Sequence, residues 1–197
     1  MEKLVLASGN QGKLLELSTL LETLGYQVGS QATLGVPAVT ETGTTFVENA
    51  IIKARNAAHH TGLAALADDS GIEVDALDGA PGVYSARFSG ANATAESNNA
   101  LLVEKLRSVP APQRTARFRS VIVFMRTATD PSPIICEGCW EGLIQLEPEG
   151  DGGFGYDPYF FLPQNGCTSA ELNAAEKNHL SHRGQALRQL IKRLRGE

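Results

Sequence analysis

Lys3-Leu4-Val5-Leu6-Ala7-Ser8-Gly9-Asn10-Gln11-Gly12-Lys13 sets an apolar run, a polar glycine loop and a lone positive charge in immediate succession. Residues 3–7 have the length and composition of a buried strand, and Ser8-Gly9-Asn10 marks where it stops. Beyond the loop Leu14, Leu17, Leu20, Leu21 and Leu24 recur at helical spacing. The spacing predicts a helix over 12–24, with Gly25 supplying the left-handed stop. The segment thus reads as a strand, a glycine loop and a helix in sequence.

The same punctuation continues outward. Residues 26–30 read as a second strand, followed by loop signals at Gly35-Val36-Pro37 and Thr42-Gly43. Thr45-Phe46-Val47-Glu48 has the form of a capping box, so an alanine-rich helix carrying Lys53 and Arg55 is expected from there toward Gly62. Residues 63–67 read as a strand that ends abruptly at Asp68-Asp69-Ser70-Gly71. Ala100, Leu101, Val103 and Leu106 support a helix between 94 and 109, ended by Pro110 and Pro112. The β-prone runs 116–127 and 134–146, separated by Asp130-Pro131-Ser132-Pro133, suggest an antiparallel pair and hence a mixed sheet. A short strand at 159–162 and two closing helices, one from Ser169 and one over 181–195, complete the expectation.

The 197 residues fit a single domain, 1–197, of ordinary hydrophobic (42%) and charged (20%) content. A net charge of −5 argues against a surface for DNA or RNA, which requires a field of Lys and Arg, but leaves room for a small anionic ligand in a local cationic pocket. No stretch approaches the roughly 18 consecutive apolar residues of a membrane helix, and Met1-Glu2-Lys3 enters a strand-like run without a signal-peptide core. The expected location is cytoplasmic. Cys136, Cys139 and Cys167 give no disulfide framework; the first two lie in a strand, where residues three apart face opposite ways, so they read as thiols and not as a metal or redox pair.

Four constellations are candidates for chemistry. In Ser8-Gly9-Asn10-Gln11-Gly12-Lys13 a glycine loop precedes a helix, which turns backbone amides and the positive helix end toward a bound phosphate, with Lys13 adding a full charge. It is not a Walker A loop, because Ala7 stands where the earlier glycine belongs and Leu14 where Ser or Thr belongs; an ordinary strand-to-helix turn explains it equally well. Asp68 and Asp69 offer hard oxygen ligands that suit Mg²⁺, although Asp-Asp-Ser-Gly is also good turn chemistry. Glu41 and Glu48, flanking the start of the second helix, are further carboxylates, and Lys53 lies on that helix. Gly152-Gly153-Phe154-Gly155-Tyr156-Asp157-Pro158 holds an aromatic ring between glycines, as a base-stacking loop or a plain hairpin would. Ser181 is a natural N-cap that puts His182 and Arg183 in the first turn of the last helix, where cations oppose the helix dipole unless an anion or oxygen-rich group lies nearby; Lys177 precedes them.

Taken in order, these segments resemble one known family. They are Ser8-Gly9-Asn10 with Lys13; Glu41-Thr42-Gly43 through Glu48-Asn49-Ala50 and Lys53-Ala54; Asp68-Asp69-Ser70-Gly71; Gly79-Ala80-Pro81-Gly82 with Val83-Tyr84-Ser85-Ala86-Arg87; Gly153-Phe154-Gly155-Tyr156-Asp157-Pro158; and Ser181-His182-Arg183-Gly184. The chain is similar along its whole length to the inosine/xanthosine triphosphate pyrophosphatases, which clear faulty purine nucleotides. The resemblance implies an elongated two-lobed α/β fold around a central mixed sheet, with a cleft between lobes, and a homodimer.

It further implies that Ser8, Gly9, Asn10, Gln11, Gly12 and Lys13 cradle the triphosphate, with Ser8 replacing the family's usual Thr, and that Lys53 also faces the phosphates. Asp69 is then the general base with a part in binding Mg²⁺, helped by Asp68 and Glu41. Ser70, Phe154, Gly155, Tyr156, Asp157, Lys177, His182 and Arg183 should line the nucleotide site, with Phe154 against the base. Hydrogen-bond donors at His182 and Arg183 would favour a purine with oxygen at position 6 over adenine. Rival expectations are a house-cleaning pyrophosphatase for modified pyrimidine or other nucleotides and a nucleotide-binding module without turnover.

Overall fold

The structure is a computed structural model. Residues 2–22 and 25–196 are described; the side chains of Gln11, Glu16, Thr19 and Leu20 lie outside the described part. The expected contributions of Leu20 and Leu24 to the first helix therefore fall outside the described residues.

The opening run forms β1 (Glu2–Leu6) and the leucine repeat forms α1 (Gln11–Glu22), followed by β2 (Tyr26–Ser30), α2 (Phe46–Thr61) and β3 (Ala64–Val74). Then come α3 (Ala95–Leu106), β4 (Thr115–Met125), β5 (Ile134–Ile144), β6 (Phe160–Leu162), β7 (Cys167–Thr168), α4 (Ala174–Leu180) and α5 (His182–Arg195). The strands make one seven-stranded sheet in the order β2-β1-β3-β4-β5-β6-β7. It is mixed: β1 lies parallel to β2 and β3, whereas β6 is antiparallel to β5 and β7.

Two expectations are corrected. The strand from 63 does not stop at the acidic pair; β3 runs on through Asp68-Asp69-Ser70-Gly71 to Val74. Local turn preference loses here because the carboxylates find buried partners, described below. The helix expected from Ser169 begins instead after Asn173, whose side chain accepts from the Glu176 amide in a reciprocal capping box. The α2 cap is as read: the Thr45 hydroxyl accepts from the Glu48 amide, and Gly62 closes the helix at φ 67°.

The residues group into two compact units, each discontinuous in the chain. One comprises Met1–Asp69, Ser120–Gly138 and Gln185–Glu197; the other comprises Ser70–Arg119 and Cys139–Gly184. In the first unit the period-2 alternation of strands sorts the core into two sides. Val5, Ala7, Ala65, Ala67, Val121 and Val123 pack with the alanine stripe Ala50, Ala54, Ala57 and Ala58 of α2. The intervening Leu4, Leu6, Leu66, Ile122 and Phe124 pack with Leu17 and Leu21 of α1 and with Ala186, Leu187 and Leu190 of α5. The second unit has its own core, built on Ile72, Val74, Leu102, Leu106, Phe118, Trp140 and Phe160. All three cysteines are free thiols. No helix among the described residues is long and apolar enough to cross a membrane.

Candidate active site

Because β3 continues through the acidic pair, the same alternation decides where each carboxylate goes. Asp69 follows the register of Ala65 and Ala67 toward α2, and Asp68 follows Leu66 toward α1. Lys53 of α2 accordingly meets Asp69 Oδ1 at 2.7 Å, and Lys13 of α1 meets Asp68 Oδ2 at 2.8 Å. Adjacent in sequence, the two acids serve different lysines on different faces.

Lys53 is the hub on its side. Besides Asp69, its ammonium donates to the Asp68 backbone carbonyl at 3.0 Å and pairs with Glu41 at 3.2 Å. Burial works to lower the Lys53 pKa, but the charge and hydrogen bond of Asp69, with Glu41 and Asp68 behind, outweigh it and the net direction is upward. Burial pushes the Asp69 carboxyl up from its ordinary value, against the pull of Lys53 and Lys13. Asp69 Oδ1 is held by Lys53, while Oδ2 is buried and accepts no hydrogen bond from the protein. A buried carboxylate oxygen without a donor is the exception in folded proteins, and it identifies the atom available to a water, a proton or a cation. Asp68 is different: its second oxygen accepts from the buried hydroxyl of Ser120.

Of the remaining carboxylates, Glu48 is engaged by its own helix start. Its Oε2 accepts from the amides and hydroxyls of Thr44 and Thr45, and these bonds, the Thr45 hydroxyl foremost, lower its pKa. Glu41, half-buried and sharing Lys53 with Asp69, is the carboxylate that remains beside it. Among the described residues no three His, Cys, Asp or Glu side chains converge as a metal cage. Asp69 and Glu41 nevertheless fit the pattern in which Mg²⁺ takes one or two carboxylates and completes its shell with phosphate oxygens and water.

The loop at 8–10 is shaped to begin a helix. Asn10 caps α1 by accepting the Lys13 amide at 3.1 Å, and the Ser8 hydroxyl, almost fully buried, accepts the Asn10 amide at 3.2 Å. Gly9 and Gly12 lie within this start; the Gln11 side chain is outside the described residues. The Lys13 amide is thus taken by the cap and its ammonium by Asp68; the other amides of a helix start are those that a phosphate can use.

In the second unit the glycine-flanked aromatic is rigidly framed. Asp157, buried, accepts from Lys177 Nζ at 2.7 Å, from the Phe154 amide at 2.7 Å and from the Ser169 hydroxyl at 2.8 Å. Gly153 has φ 72°, and a Cβ there would collide with the Asp157 carboxylate and the Lys177 ammonium, so both the turn and the ion pair require glycine. Asn99 of α3 donates to the Gly155 carbonyl at 2.9 Å, and the Tyr156 hydroxyl donates to the Ser85 carbonyl at 2.7 Å. Burial raises the Tyr156 pKa, so the phenol stays a donor.

Two cations flank the Phe154 ring: Lys177 Nζ at 5.1 Å and Arg183 Cζ at 5.7 Å from its centroid. Arg183 also donates to the Ser70 hydroxyl at 3.1 Å. His182 is stacked on Phe118 at 4.9 Å with planes 13° apart. Ser181 caps α5 by accepting the Gly184 amide. Ser70, Phe154, Lys177 and Arg183 are therefore brought together; Tyr156 and Asp157 act from beneath, as frame. Sequence reading missed Asn99, Ser120 and Ser169. None of the three left a local signal: Ser120 follows Arg117 and Arg119 in β4, where one more polar residue does not stand out.

A model of the Ham1 family matches residues 4–193. A dITP/XTP pyrophosphatase of Thioalkalivibrio sulfidiphilus is 59% identical over 98% of this chain and 99% of its own length. A dITP/XTP pyrophosphatase of Vibrio vulnificus is 56% identical over 99% of this chain and 98% of its own. The solved structure of a HAM1 protein from Coxiella burnetii superposes with a TM-score of 0.92 at 50% identity, covering 100% of both chains. With matches of this extent in sequence and in structure, the chain belongs to the Ham1 family.

Proposed function

We propose that this chain hydrolyses inosine, deoxyinosine and xanthosine triphosphates to the monophosphate and pyrophosphate, removing them from the nucleotide pool. The observation that carries the proposal is Asp69: a buried carboxylate whose Oδ1 is clamped by Lys53 while Oδ2 has no protein donor. Dedicated dITP/XTP pyrophosphatases at 56–59% identity support the choice of reaction.

Asp69 Oδ2 orients a water and takes its proton as the oxygen attacks the α-phosphorus in line, and burial, by raising the carboxyl's basicity, suits it to that role. Lys53 keeps Oδ1 fixed, so Oδ2 cannot swing away. Lys13 and the amides at the start of α1 receive the phosphates. Asp69 and Glu41 are the groups that would hold Mg²⁺, which when bound supplies Lewis-acid neutralisation of phosphate oxygens. Phe154 offers its face to the base, and Lys177, His182 and Arg183 are donors suited to an oxygen at position 6, where adenine carries an amino group. A cytoplasmic homodimer belongs to the same proposal, supported by the family resemblance and checked by sedimentation and cell fractionation.

Release of pyrophosphate from inosine, xanthosine and adenosine triphosphates, with and without chelator, tests the proposal. Inosine and xanthosine triphosphates should turn over at least about a hundredfold faster than adenosine triphosphate, and chelator should stop the reaction. Equal use of adenosine triphosphate, or preference for a modified pyrimidine nucleotide, would overturn it. In a His182→Ala, Arg183→Ala double variant the preference should collapse; intact discrimination removes these residues from base selection.

A further inference from the structure

Ser120 stands at the head of the apolar run of β4, between Arg119 and Val121-Ile122-Val123-Phe124, and is 0% exposed. A hydroxyl there is unfavourable unless it meets a polar partner. In strand register it shares the face of Ile122 and Phe124, the α1 side, which is also the face taken by Asp68. It donates to Asp68 Oδ1 at 2.5 Å, while Lys13 Nζ holds Oδ2 at 2.8 Å. The Asp68 side chain is itself 0% exposed, and its backbone carbonyl receives Lys53.

We infer that Ser120 is a positioning residue: it locks the Asp68 carboxylate, and the locked carboxylate aims Lys13 at the phosphates. Asp68 is then a seat for lysines and not a cation ligand, since both of its oxygens are engaged and it points to the opposite face from Asp69. The physical reason for a lock is that a carboxylate turns about its bond to Cβ, and a lysine has four rotatable bonds. One charge-assisted hydrogen bond from a rigid strand stops the first rotation, and the ion pair then restricts the rest. The ligand named for Lys13 rests on the proposed function; the seat itself does not.

Two readouts separate these. The first needs no nucleotide: the rate of reductive methylation of Lys13, read by peptide mass spectrometry. Ser120→Ala should raise it several-fold, the isosteric Asp68→Asn should do the same, and Ser120→Thr, which keeps the hydroxyl, should restore the wild-type rate. The second uses pyrophosphate as probe. In Ser120→Ala its inhibition of hydrolysis should weaken about tenfold, the scale of one hydrogen bond to a charge. Inhibition by inosine monophosphate should stay put, KM for inosine triphosphate should rise in parallel, and kcat should hold within about threefold.

In a Lys13→Met background Ser120→Ala should add nothing, because both changes remove one interaction. Unchanged methylation in a folded Ser120→Ala or Asp68→Asn protein overturns the seat, as do losses that multiply in the double variant. If methylation responds but wild-type protein binds no pyrophosphate, the seat stands and the triphosphate assignment falls.

Discussion

Asp69 and Asp130 are the same residue type in the same unit, both buried, and they have opposite fates. Asp130 is saturated: it accepts the Arg126 backbone amide, two guanidinium nitrogens of Arg126 and the Ser132 amide. The hydrogen bonds of Arg126, side chain first, drive its pKa well below the ordinary carboxylate value. Asp69 has one oxygen held and one without a donor, and burial drives its pKa up. A carboxylate completed by its surroundings fixes a turn between β4 and β5. A carboxylate left incomplete at a cost to the fold has a task in which a further group completes it.

The hardest test of that contrast is Asp69→Asn. Turnover of inosine triphosphate should fall about a thousandfold, the contribution of a positioned general base, with substrate binding largely kept. Stability carries two opposed terms: the change removes a charge that burial disfavours, and it takes from Lys53 the partner that offsets the burial of its ammonium, leaving Glu41. The sign with pH follows: a carboxyl whose folded pKa lies above its unfolded value destabilises the fold when ionised, and this penalty vanishes as pH falls toward the unfolded value. Urea melts should therefore show the stability difference between Asp69→Asn and wild type shrinking toward about pH 4, where the wild-type carboxyl is neutral as well. Near-normal turnover would sink the assignment of Asp69 as base.

Asp130→Asn should do the reverse. Activity should stay within about twofold, and the melting temperature should drop by a few degrees, since an amide cannot satisfy the Arg126 fork and two backbone donors together. A depressed folded pKa contributes stability that is present above the unfolded value and lost as pH falls through the folded one. The loss in Asp130→Asn should accordingly be full at neutral pH and shrink on acidification. A loss of activity matching that of Asp69→Asn would erase the distinction between the two carboxylates.

Which parts of this were legible in the residues follows from range. Leucines at helical spacing located α1, and Thr45 with Glu48 located the start of α2, because both signals lie within a turn or two of chain. The Asn173 and Glu176 box is equally local, yet the helix expected from Ser169 begins only after it, and the Ser169 hydroxyl instead serves Asp157. β3 runs past its expected end for a physical reason. Asp-Asp-Ser-Gly favours a turn by itself, and only Lys13, Lys53 and Ser120, distant in sequence, make it worth burying as strand. Asn99 reaches Gly155 across a similar distance, and no local pattern announces it. Resemblance to a family brought Lys53 and Asp69 into one account, where spacing alone could only place them on separate elements.

The smallest effect sharpens the contrast from the solvent side. In the second unit Arg117 donates to Asp75 through both terminal nitrogens, at 2.8 and 2.9 Å, and to Glu141 through Nε at 3.0 Å. On paper this network is as rich as that of Asp130, yet the Glu141 side chain is 65% exposed. Water solvates that carboxylate almost as well as the guanidinium does, and ordering two long side chains consumes much of the attraction. Glu141→Gln should leave activity untouched and change stability by less than about 0.5 kcal/mol, an effect that fades further in high salt. Arg117 keeps its paired contact with Asp75, so no buried charge is stranded by the change. A loss comparable to that of Asp130→Asn would mean that partner number outweighs burial, and the rule drawn from Asp69 and Asp130 would have to be restated in those terms.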